Sequence, residues 1–304
     1  MSRIREALKR AAEERSAQTG GRAEEFIDIL DGPPASAVNP VLGKLDLPGR
    51  TEFVSPDLNT LFAECKKVRW HFEPSLSVFA NEENHRSGAE RFRTLRSRLY
   101  QISATRPLRR ILLTSSVPHE GKTFVAANLA QSIIRQADRR VLLVDADLRA
   151  SRLNVTLGAR NEPGLSDYLL GEASITKVLQ VGEERNLCFI PGGKLVPNPS
   201  ELLHSEKMKS LLDRMGQIFD WVILDSPPAI AVHDASILAD MCDGVLFVVR
   251  AGATEFQTAQ RAAAEFPSSK LLGVILNRVD KADTYGAYYY DYGYSGENDP
   301  REQG

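Results

Sequence analysis

Short apolar runs alternate with helical stretches between residues 88 and 276. The apolar runs fall at residues 111–114, 141–144, 187–190, 221–224, 245–249 and 271–276, and two clear helical stretches cover 88–103 and 122–136. Such alternation is typical of β-α-β units, in which each strand is buried on both faces. The pattern therefore predicts an α/β fold with a doubly wound, mostly parallel sheet, whose ligands bind at the carboxyl ends of the strands.

Two regions with a different pattern flank this segment. The N-terminal region carries a candidate helix at 2–16, with a narrow, Ala-rich apolar face, and a linker rich in Pro and Gly at 31–50. That face fits a solvated or partner-docking helix better than a helix lying on a membrane. The C-terminal region is polar, rich in Gly and Tyr, and lacks core periodicity, so we expect a flexible tail. The predicted parts are 1–85 (helix and linker), 86–280 (globular domain) and 281–304 (tail).

Composition narrows the class of protein. The 304 residues carry a formal net charge of −2, which argues against a protein that wraps nucleic acid. No apolar run reaches the roughly 20 residues that cross a bilayer, and the N-terminus lacks the apolar core of a secretion signal. The scattered histidines and cysteines match no zinc spacing. We expect Cys65, Cys188 and Cys242 to be buried thiols in a reduced cytosol.

A candidate phosphate-binding loop follows the first apolar run. Residues 115–123 read SSVPHEGKT and lead into a helical stretch. At such a strand–turn–helix junction, backbone N–H groups and the helix dipole attract anions, and Gly121 allows close approach of the backbone. Lys122 is then placed to reach the β- and γ-phosphates of a nucleotide, and the Thr123 hydroxyl to ligate Mg²⁺. Ser116 stands where the full Walker A pattern has glycine, so an ordinary turn is the alternative.

Carboxylates follow two further apolar runs. Asp145 and Asp147 come after the run at 141–144, and Asp225 comes after the run at 221–224. A carboxylate at such a strand end completes the metal shell of P-loop enzymes, although it can also cap a turn. Three carboxylates at one edge repel each other unless a cation is present, which favours Mg²⁺ with a nucleotide. If the strand continues through Asp147, both aspartates share one face, so that one binds Mg²⁺ and the other accepts a proton from a hydroxyl nucleophile.

Two other clusters stand apart from the phosphate chemistry. Six of the eight tyrosines lie within ten residues near the C-terminus, at Tyr285, Tyr288, Tyr289, Tyr290, Tyr292 and Tyr294. Glu90, Arg93 and Arg96 recur at a spacing of three, which places them on one stripe of the helical stretch at 88–103. Without the other motifs, the simplest interpretation of the tyrosines is an aromatic tail that adheres to a partner. The simplest interpretation of the charged stripe is a helix face exposed to solvent.

Together these motifs resemble those of the bacterial tyrosine kinases (BY-kinases). The family's Walker A, A′ and B motifs are similar to residues 116–123, Asp145-x-Asp147-x-Arg149 and Asp225-x-x-Pro228, and the similarity covers about residues 88–294. It implies a P-loop NTPase of the deviant Walker A (Min/Par-like) type that uses ATP and Mg²⁺ to phosphorylate the tyrosine cluster of a neighbouring copy. Within the family, the chain resembles the cytoplasmic autokinases of exosortase-type exopolysaccharide loci.

The resemblance also implies a role for each matching residue. The candidate catalytic residues are Lys122, Asp145 and Asp147, with Asp145 orienting or deprotonating the incoming tyrosine. The candidate Mg²⁺ ligands are Thr123, Asp147 and Asp225, and the candidate residues of a ring-forming subunit interface are Glu90, Arg93 and Arg96. The candidate nucleotide-binding residues are Val117, Pro118, His119, Glu120, Gly121, Lys122, Thr123, Phe124 and Asn277. Asn277 either reads adenine or is only a turn residue.

Partners follow from the same resemblance. It implies a ring-like homo-oligomer, a separate membrane activator of the polysaccharide co-polymerase type, a tyrosine phosphatase, and no nucleic acid. The protein would be cytoplasmic, recruited to the inner face of the cell membrane by its partner, and would regulate exopolysaccharide or capsule synthesis and export. One alternative is a Min/Par-type switch ATPase that positions a membrane or DNA complex, although Val117 stands where those proteins carry a second lysine. The other is a non-catalytic scaffold controlled by nucleotide.

Overall fold

The structure, a computed structural model, describes residues 62–80, 82–136, 139–183 and 186–279. The described residues as far as residue 277 belong to one compact unit. The predicted helix at 2–16, the linker at 31–50 and the tyrosine-rich tail at 281–304 lie outside the described residues. The proposed division into three parts therefore stays a prediction.

A single sheet of eight strands forms the centre of the described part of the chain. Its strands are β1 (Lys66–Val68), β2 (Arg110–Ser115), β3 (Val141–Asp145), β4 (Gln180–Gly182), β5 (Leu187–Ile190), β6 (Trp221–Asp225), β7 (Gly244–Arg250) and β8 (Leu271–Asn277). They lie in the order β1-β4-β5-β3-β6-β2-β7-β8, and only the pair of β4 with β5 is antiparallel. The predicted mostly parallel, doubly wound sheet is therefore confirmed.

Each of the six predicted apolar runs lies within a strand of this sheet. The apolar pattern does not predict β1 or β4, because each has only three residues, which is too short for a periodic signal. In the part of the chain from residue 66 that the structure describes, the remaining elements are two 3₁₀ turns, Pro74–Leu76 and Ser268–Lys270, and nine α-helices. The α-helices are α1 (Glu82–Thr105), α2 (Lys122–Ile134), α3 (Leu153–Leu157), α4 (Leu165–Leu170), α5 (Ile175–Val178), α6 (Pro199–Leu203), α7 (Glu206–Ile218), α8 (Asp234–Asp240) and α9 (Phe256–Ala263).

Helices cover both faces of the sheet, and the alternation of side chains along each strand divides the core between them. In β2, Ile111 and Leu113 pack into one apolar cluster with α1, α2 and α3. Leu112 packs into the other cluster, to which helices α4 to α9 contribute. Successive strand residues point to opposite faces, so both faces need apolar residues, which explains the continuous runs in the sequence. No helix within the described residues is both long and apolar enough to cross a membrane.

The three cysteines are buried free thiols, as the sequence predicts. Burial raises the pKa of Cys65 to about 11 and that of Cys242 to about 12, and it also raises the pKa of Cys188. These thiols therefore stay protonated at neutral pH and behave as small apolar side chains.

A half-buried ion pair fixes the start of β2, the strand that leads into the phosphate loop. Asp243 accepts the backbone N–H groups of Arg109 and Arg110 at 2.9 and 2.8 Å. Its other oxygen pairs with the Arg110 guanidinium at 2.9 Å. Burial alone would raise the pKa of Asp243, but the Arg110 guanidinium and the two N–H groups outweigh it, so the pKa of Asp243 lies below its usual range. The ionised carboxylate therefore stabilises the fold at neutral pH.

We predict that Asp243→Ala lowers the free energy of unfolding by about 1–3 kcal/mol, because two backbone donors and one guanidinium lose their acceptor. Because the pKa of Asp243 is lowered in the folded protein, this contribution is present above about pH 4 and disappears as the pH falls below that value. Urea unfolding of the two proteins at several pH values measures it. Asp240→Ala, on an exposed residue of the same helix–strand connection, is the matched control. Equal losses in the two variants would contradict the prediction.

Candidate functional site

The loop between β2 and α2 has a backbone that few residues can adopt. Gly121 precedes α2 with φ of 98°, and His119 has φ of 67°. A Cβ atom on Gly121 would lie 2.0 Å from Nδ2 of Asn277, so only glycine fits there. Asn277 lies at the end of β8, and its Nδ2 donates a hydrogen bond to the Glu120 carbonyl oxygen at 2.8 Å. The last strand of the sheet therefore fixes the apex of the phosphate loop.

The backbone N–H groups of this loop do not all have the same surroundings. The N–H of Val117 donates to the Glu120 carboxylate at 2.8 Å, and Pro118 has no N–H group. The residues from 119 to 123 provide the remaining N–H groups of the loop and of the first turn of α2. These groups lie at the positive end of the α2 helix dipole, where proteins commonly bind phosphate.

The structure brings five of the predicted site residues together at the carboxyl edge of the sheet. Asp225 ends β6, and its Oδ2 accepts the Thr123 hydroxyl at 2.6 Å. Lys122 Nζ lies 3.2 Å from Oδ2 of Asp147. Asp145 ends β3 directly opposite Asp225, because the two strands are neighbours in parallel register. The predicted convergence of the three strand-end carboxylates on the phosphate loop is therefore observed.

Asp145 differs from the other two carboxylates in how it is bound. Its Oδ2 accepts the Ser151 hydroxyl at 2.7 Å and the backbone N–H groups of Arg152 and Leu153 at 3.0 Å each. Among the described residues, its Oδ1 accepts only the N–H of Asp147, at 3.2 Å. The strand β3 ends at Asp145, so the condition for a shared strand face with Asp147 is not met. The two carboxylates instead have different partners.

Burial controls the electrostatics of this edge. Asp145, Asp147 and Asp225 are 0%, 4% and 1% exposed, and Lys122 supplies one ammonium group among them. Burial raises the pKa of Asp145 to about 6 and that of Asp225 to about 7. Burial also lowers the pKa of Lys122, but the surrounding carboxylates outweigh that effect, so the pKa of Lys122 is raised. The site therefore carries more negative charge than its own lysine balances.

The donor set fits Mg²⁺. Asp225 Oδ1 is buried and accepts no hydrogen bond from the described residues, so a lone pair of a fully buried carboxylate is left for a cation. Across the described ranges, no group of three or more carboxylate, imidazole or thiol side chains forms a metal cage by itself. Mg²⁺ needs none, because it commonly takes one or two carboxylates and completes its shell with water and substrate phosphates.

Arg149, for which the sequence pattern gives no firm role, binds within its own chain. Its guanidinium pairs with Asp234 at 2.8 Å and donates to the Ser200 hydroxyl at 2.8 Å. Asp234 is fully buried at the start of α8, and Ser200 lies in α6. Arg149 therefore joins the loop after β3 to two helices. Neither Asp234 nor Ser200 could be found from the sequence, since each is at least 50 residues from Arg149 and belongs to no motif.

The charged stripe of α1 divides into two parts in the structure. Glu90 and Arg93 form an ion pair with each other, and their side chains are 48% and 38% exposed. Arg96 instead donates to the Ser132 carbonyl oxygen of α2 at 2.6 Å. Burial lowers the pKa of Arg96. Arg96 therefore joins two helices of one chain, and Glu90 and Arg93 are the members of the stripe that face solvent.

Known proteins with similar sequences are named as tyrosine-protein kinases. A family model described as an AAA domain matches residues 119–261. Tyrosine-protein kinase YwqD of Bacillus subtilis is 37% identical over 216 residues, which cover 70% of this chain and 91% of YwqD. Tyrosine-protein kinase CpsD of Streptococcus agalactiae is 35% identical over 197 residues, with coverage of 64% and 84%. Tyrosine-protein kinase wzc of Salmonella typhimurium is 36% identical over 209 residues, but the match spans only 29% of its length.

Solved structures give the same result for the fold. The kinase domain of Escherichia coli tyrosine kinase ETK matches with a TM-score of 0.57 and 33% identity, over 65% of this chain and 80% of that domain. The septum site-determining protein MinD of Pyrococcus horikoshii, complexed with Mg-ADP, matches with a TM-score of 0.50 and 22% identity, over 60% and 76% of the two chains. The second match concerns the fold alone.

We predict that the nucleotide-free protein loses thermal stability as the pH rises from about 4 to about 7. In that range the folded protein retains protons on Asp225 and Asp145, whereas unfolded carboxyl groups, with a pKa of about 3.9, have released them. The free energy of unfolding therefore falls with increasing pH. Thermal unfolding at constant ionic strength measures this slope.

Asp225→Asn provides the control for this prediction, since it removes one of the two carboxyl groups and keeps every other titratable side chain. We expect the variant to lose less stability over this pH range and to unfold at a higher temperature than the original protein at pH 8. Parallel pH profiles of the two proteins would show that Asp225 does not carry the proton.

Proposed function

The chain belongs to the bacterial tyrosine-protein kinase family, and we propose that it transfers the γ-phosphoryl group of ATP to tyrosines in its own C-terminal segment. The observation that carries this proposal is the constellation of Lys122, Thr123, Asp147 and Asp225 around one unpartnered carboxylate oxygen. The relatives are named as tyrosine kinases. The six clustered tyrosines offer an acceptor in the same chain.

Phosphoryl transfer depends mainly on positioning and on neutralising charge, because the protein takes little part in the covalent change. We assign the polyphosphate of ATP to the N–H groups of residues 119–123 and to the ammonium group of Lys122. Thr123, Asp147 and Asp225 would hold Mg²⁺, which supplies positive charge to the transferring phosphoryl group when it is bound. Asn277 uses Nδ2 to brace the phosphate loop, which leaves its carbonyl oxygen to accept a hydrogen bond from the amino group of adenine.

The tyrosine proton needs an acceptor during transfer. Tyrosine has a pKa of about 10, so its hydroxyl is protonated at neutral pH. Asp145 is the proposed acceptor, because its pKa is raised towards neutrality and its Oδ1 receives one hydrogen bond from the residues that the structure describes. The tyrosine oxygen bonds to the γ-phosphorus, the bond from that phosphorus to the bridging oxygen of ADP breaks, and the proton passes to Asp145.

We also propose the setting in which this reaction takes place. Neighbouring copies assemble into a ring-like homo-oligomer through the exposed pair of Glu90 and Arg93, and each presents its tail to the next copy. The sequence motifs favour a separate membrane activator of the polysaccharide co-polymerase type, a tyrosine phosphatase that reverses the reaction, and a place at the inner face of the membrane. The process so regulated is exopolysaccharide or capsule synthesis and export.

Replacement of the loop lysine tests the site. We predict that Lys122→Met reduces tail phosphotyrosine by at least about 10³-fold, because the ammonium group that neutralises the transferring phosphoryl charge is lost. Peptide mass spectrometry of residues 281–304 after incubation with ATP and Mg²⁺ measures it. Lys209→Met, on an exposed face of α7, is the matched control and should label normally. Persistent labelling of purified Lys122→Met would show that the site assignment is wrong.

Transfer between copies is tested by mixing two variants. One carries Lys122→Met with an intact tyrosine cluster, and the other is an active chain in which all six clustered tyrosines are phenylalanine. We expect phosphotyrosine on the Lys122→Met chain in the mixture and none on either protein alone. Absence of label in the mixture, together with normal labelling of the original protein, would indicate transfer within one chain.

Phosphorylation should loosen the oligomer. The tail has a side-chain net charge of −3, from Lys281 and Arg301 against five acidic residues. Each phosphotyrosine adds about −1.5 to −2, so a modified tail is repelled by the carboxylates of a neighbouring site. We predict a lower mass by light scattering for the phosphorylated protein than for the same protein after phosphatase treatment. Equal masses would contradict this cycle of assembly and disassembly.

A further inference from the structure

The carboxylate of Glu120 lies inside the phosphate loop, where a negative charge would ordinarily repel an anion. Glu120 is 2% exposed. Its Oε2 accepts the N–H of Val117 at 2.8 Å. Its Oε1 accepts the hydroxyl of Thr254 at 2.5 Å and the N–H of Arg250 at 3.3 Å. These three donors are neutral, so they do not balance the charge of the buried carboxylate. A negative charge within a loop that binds anions is unfavourable unless the carboxylate organises the loop.

The bond from Val117 to Glu120 closes the loop on itself. Two residues, Pro118 and His119, lie between the donor and the acceptor, and His119 has the left-handed φ of 67° that non-glycine residues rarely adopt. A closing hydrogen bond to a charged acceptor holds such a turn in place, because charge-assisted bonds are stronger than neutral ones. Glu120 thus restrains the segment whose N–H groups precede α2.

The other oxygen of the carboxylate connects the loop to its neighbour in the sheet. Arg250 ends β7, and Thr254 lies in the connection between β7 and α9. The strand β7 pairs with β2, which leads into the phosphate loop. Asn277, at the end of β8, holds the main-chain oxygen of the same residue. Glu120 is therefore bound through its side chain to the end of β7 and through its backbone to the end of β8.

We propose that Glu120 is a positioning residue, whose carboxylate, held by the Val117 N–H and the Thr254 hydroxyl, keeps the phosphate loop in its nucleotide-binding conformation. A loop ordered before binding loses less conformational entropy when the ligand arrives, so affinity rises although the side chain is anionic. This inference rests on the proposed function, because it concerns the loop that binds ATP. The sequence motif places Glu120 in the nucleotide-binding loop, and the inference adds a specific role for its side chain.

The test is binding of ADP with Mg²⁺ to the full chain by calorimetry. Glu120→Ala should weaken binding by about ten-fold or more, since all three hydrogen bonds to the carboxylate are lost, and Glu120→Gln, which keeps one acceptor, should weaken it less. Thr254→Val should also weaken binding, whereas Thr254→Ser keeps the hydroxyl and should bind like the original protein. In the Glu120→Ala background, Thr254→Val should have no further effect. With ATP as substrate, the KM should rise in Thr254→Val while kcat changes little.

Three results would overturn the inference. Tighter or unchanged binding by Glu120→Gln would show that charge repulsion outweighs positioning. Equal binding of ADP by Thr254→Val and Thr254→Ser would show that the Thr254 hydroxyl does not hold the Glu120 carboxylate in place. This pair of variants tests the inference even if Glu120→Ala does not fold. Additive losses in the double variant would show that the two residues act independently. Failure of the proposed function would give a different result, because the original protein would bind ADP normally and yet form no phosphotyrosine.

Discussion

Two hydrogen-bonded parallel strands, β3 and β6, end in Asp145 and Asp225 at the same level of the sheet. Asp147 follows closely, and Lys122 supplies one ammonium group to these buried carboxylates. Burial and, after it, mutual repulsion raise the pKa of two of them, so the fold stores unfavourable electrostatic energy at this edge. A cation bound with a nucleotide would relieve that energy. Under the proposed function, this need for a positively charged ligand sets the chemistry of the site.

The loop that would receive the nucleotide is held by neighbours on three strands. It continues β2, its glutamate is bound at the end of β7, and its main chain is bound at the end of β8. Asp145 is held in turn by Ser151 and the backbone that follows it, and Arg149 joins the same connection to α6 and α8. These hydrogen bonds and ion pairs fix the positions of the charged groups at this edge. Charged groups that are already in place need not reorganise during a reaction, which is the basis of electrostatic catalysis.

The sequence predicted the sheet because strands buried on both faces read as continuous apolar runs, and it predicted the meeting of Lys122, Thr123, Asp147 and Asp225 because parallel strands end at one edge. It missed β1 and β4, which are too short to show a period. Ser151 follows Asp145 by only six residues and could have been proposed as its partner. Thr254 and Asp234 could not, since tertiary packing alone brings them to Glu120 and Arg149.

Under the proposed function, the carboxylate edge directs the γ-phosphoryl group of ATP to tyrosine instead of to water. Peptide mass spectrometry of the purified protein, incubated with ATP in Mg²⁺ or in EDTA, distinguishes these two acceptors. We predict phosphate on tyrosines between residues 285 and 294 in Mg²⁺ and none in EDTA. Release of inorganic phosphate in Mg²⁺ with unmodified tyrosines, in the presence of a membrane activator as well as without one, would contradict it.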